Sequence, residues 1–275
     1  MIISTTSDIN YIGYLKCLIK SCSINSPKTK FHVRLVNILD KDKLKRELFS
    51  IKRDILIEFD DCVVSNSNLY TKRHNALLWD GVSSGLDVTP QILEVKHSKW
   101  LISAQQCYTS NIRFRNIYNL LTSYAEPVLY LDADSLVIKN LEDFAEIIKR
   151  YDISIKLRKS PKNAPIPYPN NNSWECSCIG VNNTPESIEF IKDVMINTEK
   201  NMFFWDSDQF EFEYSVNRFK NRIKLNLLTE KEESCGDMNG NKLTTESYIL
   251  AGSYKNKISP GIFVNELKKY ESLVI

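Results

Sequence analysis

The sequence predicts an α/β fold with a mainly parallel central sheet flanked by helices. Two observations carry that prediction. Strands and amphipathic helices alternate through the first third as a βαβαβ run, and a later apolar strand, Val128 to Leu131, ends in Asp132-Ala133-Asp134. Such alternation favours parallel strands joined by crossover helices, with ligands in the crevice beyond the strand carboxyl ends. A chain of 275 residues buries a substantial core. One domain over 1–275 is expected, with a less regular insertion at about 61–99 and a C-terminal segment at about 245–275.

The elements follow in order. Ile2 to Thr6 reads as a strand, and the apolar spacing of Ile12, Leu15, Leu18 and Ile19 predicts a helix from Tyr11 to Cys22. The β-branched run Phe31 to Val36 is a second strand, Asp40 to Phe49 a charged helix, and Ile55 to Phe59 a third strand. Trp100 to Leu121 reads as helical and leads into the acidic strand. A helix over Leu141 to Lys149 follows Asn140 as N-cap. Pro and Asn mark Ser160 to Asn172 as a loop, and a short strand is expected at Ile179 to Val181. Thr184-Pro185 opens another helix with threonine as N-cap and proline at its first position, and a further helix starts near Asp206. Pro260-Gly261 breaks the chain before a last short helix around Asn265 to Tyr270.

Charge and composition narrow the function. With 36 basic and 34 acidic residues the formal charge is +2, which gives no electrostatic case for nucleic-acid binding. Seven cysteines without C-x-x-C spacing indicate neither a disulfide framework nor a zinc knuckle, and reduced thiols in a cytoplasmic protein are expected. The opening residues lack the pattern of a secretion signal, and no apolar run reaches membrane-spanning length.

Side chains alternate along an extended chain, so Asp132 and Asp134 are expected to share a face while Ala133 points away. Two close carboxylates repel unless a cation lies between them, and oxygen ligands suit Mg2+ or Mn2+. Such ions keep open positions for substrate phosphates, which points to a nucleotide-linked substrate. Arg113 and Arg115 on the preceding helix are candidates to balance diphosphate charge, or a solvated helix face.

Tyr108-x4-Arg113 followed by Val128-Leu129-Tyr130-Leu131-Asp132-Ala133-Asp134-Ser135-Leu136-Val137 resembles the core of family 8 glycosyltransferases, the retaining group with the GT-A (Rossmann-like) nucleotide-diphospho-sugar transferase fold. The resemblance implies a nucleoside-diphosphate sugar donor, UDP-linked, a hydroxyl acceptor of unknown kind, Mn2+ or Mg2+ held by Asp132 and Asp134, and Ala133 between them at the donor-binding site. Thr5-Thr6-Ser7-Asp8-Ile9-Asn10-Tyr11 is similar to the family's nucleotide-binding segment. This implies that Thr6 lines the nucleotide site, that Asp8 and Asn10 contact base or ribose, and that Tyr11 supports the base. Without the resemblance, Asp8 is a helix cap. Trp205-Asp206-Ser207-Asp208-Gln209 resembles the segment near the anomeric carbon, which assigns Asp208 and Gln209 to the donor sugar. Gly252-x2-Lys255 looks like the end of the element whose lysine meets the diphosphate.

Two positions depart from the family pattern. The third metal ligand is a histidine there and Ile249 here, with water, phosphate oxygens or a carboxylate such as Asp237 as possible substitutes. The family's N-x-G at the sugar pocket corresponds to Cys178-Ile179-Gly180. Tyr168, Trp174, Phe203, Phe204 and Trp205 form either a sugar-stacking platform or core. Two other readings stand beside the transferase. One is a haloacid dehalogenase-like phosphatase with Asp132 as nucleophile. The other is a sugar-nucleotide-binding protein without catalysis, which the missing histidine supports.

Overall fold

The computed structural model describes residues 1–62, 94–97, 100–159, 172–202, 207–235, 244–252, 257 and 261–273. In chain order the strands and helices begin with β1 (Ile2–Asp8), α1 (Ile12–Asn25), β2 (Lys30–Val36), α2 (Lys41–Ile51) and β3 (Ile55–Asp60). Next come β4 (Glu94–His97), β5 (Trp100–Ser103), α3 (Ala104–Asn111), α4 (Arg113–Tyr124), β6 (Val128–Leu131), β7 (Ser135–Val137) and α5 (Glu142–Lys149). The chain continues through β8 (Ile153–Lys159), β9 (Asn172–Val181), α6 (Pro185–Lys200), α7 (Ser207–Phe219), β10 (Leu225–Leu228), β11 (Glu233–Cys235), β12 (Ile249–Ala251) and α8 (Ile262–Glu271).

Seven strands form the central sheet in the order β10-β8-β9-β6-β1-β2-β3. β1 pairs parallel with β2 and β6, and β2 with β3, as the βαβαβ pattern predicts. β9 alone runs antiparallel, against both β6 and β8. A small sheet, β11-β12-β7, lies beyond the end of β6, and β4-β5 form a separate antiparallel pair.

Alternation along the central strands divides the core in two. Ile3, Leu129 and Leu131 face α1, α2 and α5 through Leu15, Leu18, Leu44, Leu48, Phe144 and Ile148. Ile2, Val128 and Tyr130 face α4, α6 and α7 through Phe114, Ile117, Phe190, Ile191 and Phe212. All four residues of β6 are buried, so its carboxyl end is held by packing on both faces. A third cluster, Cys17, Leu136, Leu250, Phe263, Leu267 and Tyr270, seats α8 on the small sheet and α1.

Several local expectations are modified. Trp100–Ser103 is a strand, and the expected continuous helix is two helices, α3 and α4, meeting at Ile112. The strand expected at Ile179 to Val181 extends back to Asn172. The N-cap of α5 is Leu141 and not the expected Asn140, which stands one residue earlier and accepts the Glu142 N–H at 3.1 Å. Most of the expected insertion and the Ser160 to Asn172 loop, Asn172 apart, lie outside the described residues. Among the described residues no helix is long and apolar enough to cross a membrane.

Candidate active site

The site is built at the carboxyl ends of β1 and β6. β6 stops at Leu131, and Asp132 begins a tight turn: its N–H donates to the Ser177 carbonyl and its carbonyl accepts from Ser135 N–H, both at 2.9 Å. This corrects the expectation of simple strand alternation, because the turn and not an extended chain orients Asp132 and Asp134. Ala133 is buried within that turn.

Arg113, at the start of α4 and 5 % exposed, is the central cation. Its guanidinium lies 3.3 Å from Asp132 and 3.4 Å from Asp208, and also donates to the carbonyls of Ser110 and Cys176. It stacks over Tyr130 with Cζ 5.0 Å from the ring centre. Burial opposes the arginine's charge, but Asp132, Tyr130 and Asp208 outweigh it and raise its pKa. Asp208, 4 % exposed, has its pKa raised by burial against the opposing pull of Arg113. Its backbone N–H donates to Asn111 Oδ1 at 3.2 Å, so the end of α3 positions the start of α7. Arg113 thus joins Asp132 to Asp208 across 76 residues of sequence. Gln209 follows on α7, its N–H donating to Asp208 Oδ1 at 2.9 Å.

Asp134 has a different partner. Lys257 Nζ lies 2.5 Å from Asp134 Oδ2, and 5.0 and 5.4 Å from the ring centres of Tyr11 and Tyr14. Burial pushes the Asp134 carboxyl up and Lys257 pulls it back. The pKa of Lys257 is itself raised by Asp134 against burial. The short contact seats the Lys257 amino group directly on the Asp134 carboxyl. Gly252 explains the approach of this segment: its N–H donates to the Asp134 carbonyl at 2.9 Å, and a Cβ there would stand 2.5 Å from that oxygen.

The β1 end carries the expected nucleotide segment. Asp8 is the N-cap of a short 3-10 turn at Ile9–Tyr11, accepting from Asn10 N–H at 2.9 Å, and its other oxygen accepts from Gln105 at 3.0 Å. The cap expected from the residues alone is therefore present. Thr6 accepts from Asn116 Nδ2 at 3.0 Å. Tyr11 is half-buried, and burial raises its pKa; Lys257 opposes that shift while Asp134, Asp132 and Asp8 add to it.

Several expectations are redirected. Arg115 leaves the cluster and pairs with Glu199 at 2.6 Å. Gly180 pairs with Leu129 in mid-sheet, where a side chain would strike Ile148, so the Cys178-Ile179-Gly180 correspondence describes packing. The stretch of β9 that reaches the site is Cys176-Ser177, whose carbonyl oxygens accept from the Arg113 guanidinium and from the Asp132 N–H. Trp174 packs in the core against Phe212, the rings tilted by 51° with centres 5.3 Å apart. Lys255, Asp237, Tyr168 and Phe203 to Asp206 lie outside the described residues. Lys257, Gln105 and Asn111 escaped the sequence reading. Lys257, two residues past the expected lysine, is the one that left a signal.

A divalent cation fits these residues poorly. Each carboxylate of the Asp132/Asp134 pair already faces a protein cation, and Ile249, where the family 8 resemblance expects a third ligand, is wholly buried in β12 opposite Val137. Among the described residues no three His, Cys, Asp or Glu side chains converge as a metal set. A polar groove of about 390 Å³ at the amino ends of β8 and β10, lined by Lys149, Arg150, Asp152, Thr184, Arg222 and Lys224, has no such convergence either.

No family model and no curated relative matches this chain. Solved structures do match its fold. The galactosyltransferase LgtC, in complex with donor and acceptor sugar analogs, aligns over 100 % of this chain and 98 % of its own with a TM-score of 0.55 at 12 % identity. The apo glycosyltransferase GlyE of Streptococcus pneumoniae TIGR4 gives 0.58 at 15 % identity over 99 % of this chain, which spans 60 % of GlyE. Mouse xyloside xylosyltransferase 1 gives 0.54 at 8 % identity, covering 94 % of this chain and 100 % of its own. The fold is thus that of the GT-A glycosyltransferases, and it agrees with the family 8 resemblance of the sequence.

Proposed function

We propose that this protein is a glycosyltransferase that moves a sugar from a nucleoside-diphosphate donor, UDP-linked, to a hydroxyl acceptor with retention of anomeric configuration. One observation carries the reading: Asp132 and Asp208, distant in sequence, converge on the buried guanidinium of Arg113 at the carboxyl end of β6, within a glycosyltransferase fold. A guanidinium so placed can balance the charge that develops on a departing diphosphate. Asp208 and Gln209 orient the donor sugar, and Thr6, Asp8, Asn10 and Tyr11 form the nucleotide end. In the reaction the acceptor oxygen bonds to the anomeric carbon as the bond from that carbon to the diphosphate oxygen breaks. The acceptor proton leaves with the diphosphate or to solvent.

The fold favours this reading over the phosphatase, because β6 lies inside a sheet shared with glycosyltransferases and Asp132 is engaged by Arg113. A thermal-shift panel of nucleotide sugars, followed by product analysis, tests it. The expected result is stabilisation by one UDP-sugar and release of UDP that Asp208→Asn abolishes while the variant still unfolds in one cooperative transition. Stabilisation without turnover under any condition would establish the binding-only reading instead. Absence of any nucleotide response would refute both.

A further inference from the structure

This inference rests on the donor-site reading. We propose that the ammonium of Lys257, seated on Asp134, stands in for a divalent cation, so that the chain binds its nucleoside diphosphate without metal. A metal ion at this turn would have to displace the ammonium from Asp134 and compete with Arg113 for Asp132. It would then find the third protein position filled by an aliphatic side chain of the β12 core. Mg2+ and Mn2+ dehydrate reluctantly and depend on open oxygen ligands, so this donor set rewards them weakly.

Lys257 has what the substitute role needs. An ammonium carries three N–H donors; one contact goes to Asp134, and an incoming phosphate oxygen can accept another. The faces of Tyr11 and Tyr14 hold the cation from a second side, and Tyr11 belongs to the nucleotide segment itself. The close packing of Gly252 against Asp134 brings the chain that bears Lys257 to this position. In this arrangement Asp134 anchors a protein cation. The opposing effect is the charge left over, since Asp132, Asp134 and Asp208 outnumber Arg113 and Lys257.

Calorimetric titration of the full chain with UDP, GDP, ADP and CDP, first in EDTA and then in excess Mn2+, weighs the two effects. The expected result is a UDP affinity that changes by less than about twofold when Mn2+ replaces EDTA. Lys257→Met should weaken UDP binding in EDTA by about tenfold or more, Lys257→Arg should retain most of it, and Mn2+ should restore binding to Lys257→Met because Asp134 is then open. Melting curves confirm that both variants fold. If UDP binds the wild type only with Mn2+, or if Lys257→Met binds UDP in EDTA as well as the wild type does, the inference is overturned while the donor site stands. If no nucleoside diphosphate binds under either condition, the donor-site reading fails and the inference fails with it.

Discussion

At the scale of single residues, Arg113 decides whether the acidic site can be buried. Replacing it with methionine leaves Asp208 in the interior without its counter-charge, and breaking a buried pair in this way costs about 3–5 kcal/mol. Urea denaturation should show that loss, and Asp208→Asn in the same chain should recover part of it; additive losses would argue against the pairing. Gly252 is constrained by space, since a methyl group there meets the Asp134 carbonyl. Gly252→Ala is expected to destabilise by about 1–3 kcal/mol through overpacking, and an unchanged denaturation midpoint would contradict it. Glu58 supplies a pH signature. Its pKa is lowered by the neighbouring His32, 3.6 Å away, and by Arg34, against the effect of burial. A lowered folded pKa gives stability that is present above the ordinary glutamate range, about 4.3, and is lost as pH falls through the lowered value. Glu58→Gln should flatten the acid limb of the stability profile while leaving its neutral portion nearly parallel to the wild type.

At the scale of elements, capping and strand propensity act locally and were largely legible. Thr184 accepts the Ser187 N–H at 3.2 Å at the start of α6, as Thr184-Pro185-Glu186-Ser187 foretells, and its hydroxyl also donates to Asp152 at 2.6 Å. Thr184→Ala should cost about 1 kcal/mol, visible as a lowered midpoint of thermal unfolding. The misread stretch, Trp100 to Leu121, lacks glycine or proline to mark its boundaries. Its first residues are strand because β4 offers them a partner, an influence that lies outside the local pattern. The short strands β7, β11 and β12 were invisible for the same reason: three residues carry too little periodicity, and pairing in the small sheet makes them strands.

At the scale of the whole molecule, β1 and β6 are shared by both cores, with Ile3 and Leu129 on one face and Ile2 and Val128 on the other. Damage to one face should therefore be felt by the whole. Leu129→Ala is expected to cost about 2–5 kcal/mol. Probes placed on α1 and on α6 should report a single common midpoint; two separated transitions would show that the faces unfold independently.

By itself the sequence determined the alternating elements, the parallel half of the sheet, the acidic end of β6 and the caps at Asp8 and Thr184. Each of these depends on neighbouring residues and on periods of two or 3.6. Tertiary structure alone decided that Arg113 bridges Asp132 and Asp208, that Asn111 positions the start of α7, and that Asp134 faces Lys257. These contacts join residues 19 to 123 positions apart, and only the packing of α3, α4, α7 and the small sheet around β6 brings them within a few ångströms. The Asp132-Ala133-Asp134 motif was readable as a pair of carboxylates at a strand end. The cation that each one meets was set by the fold.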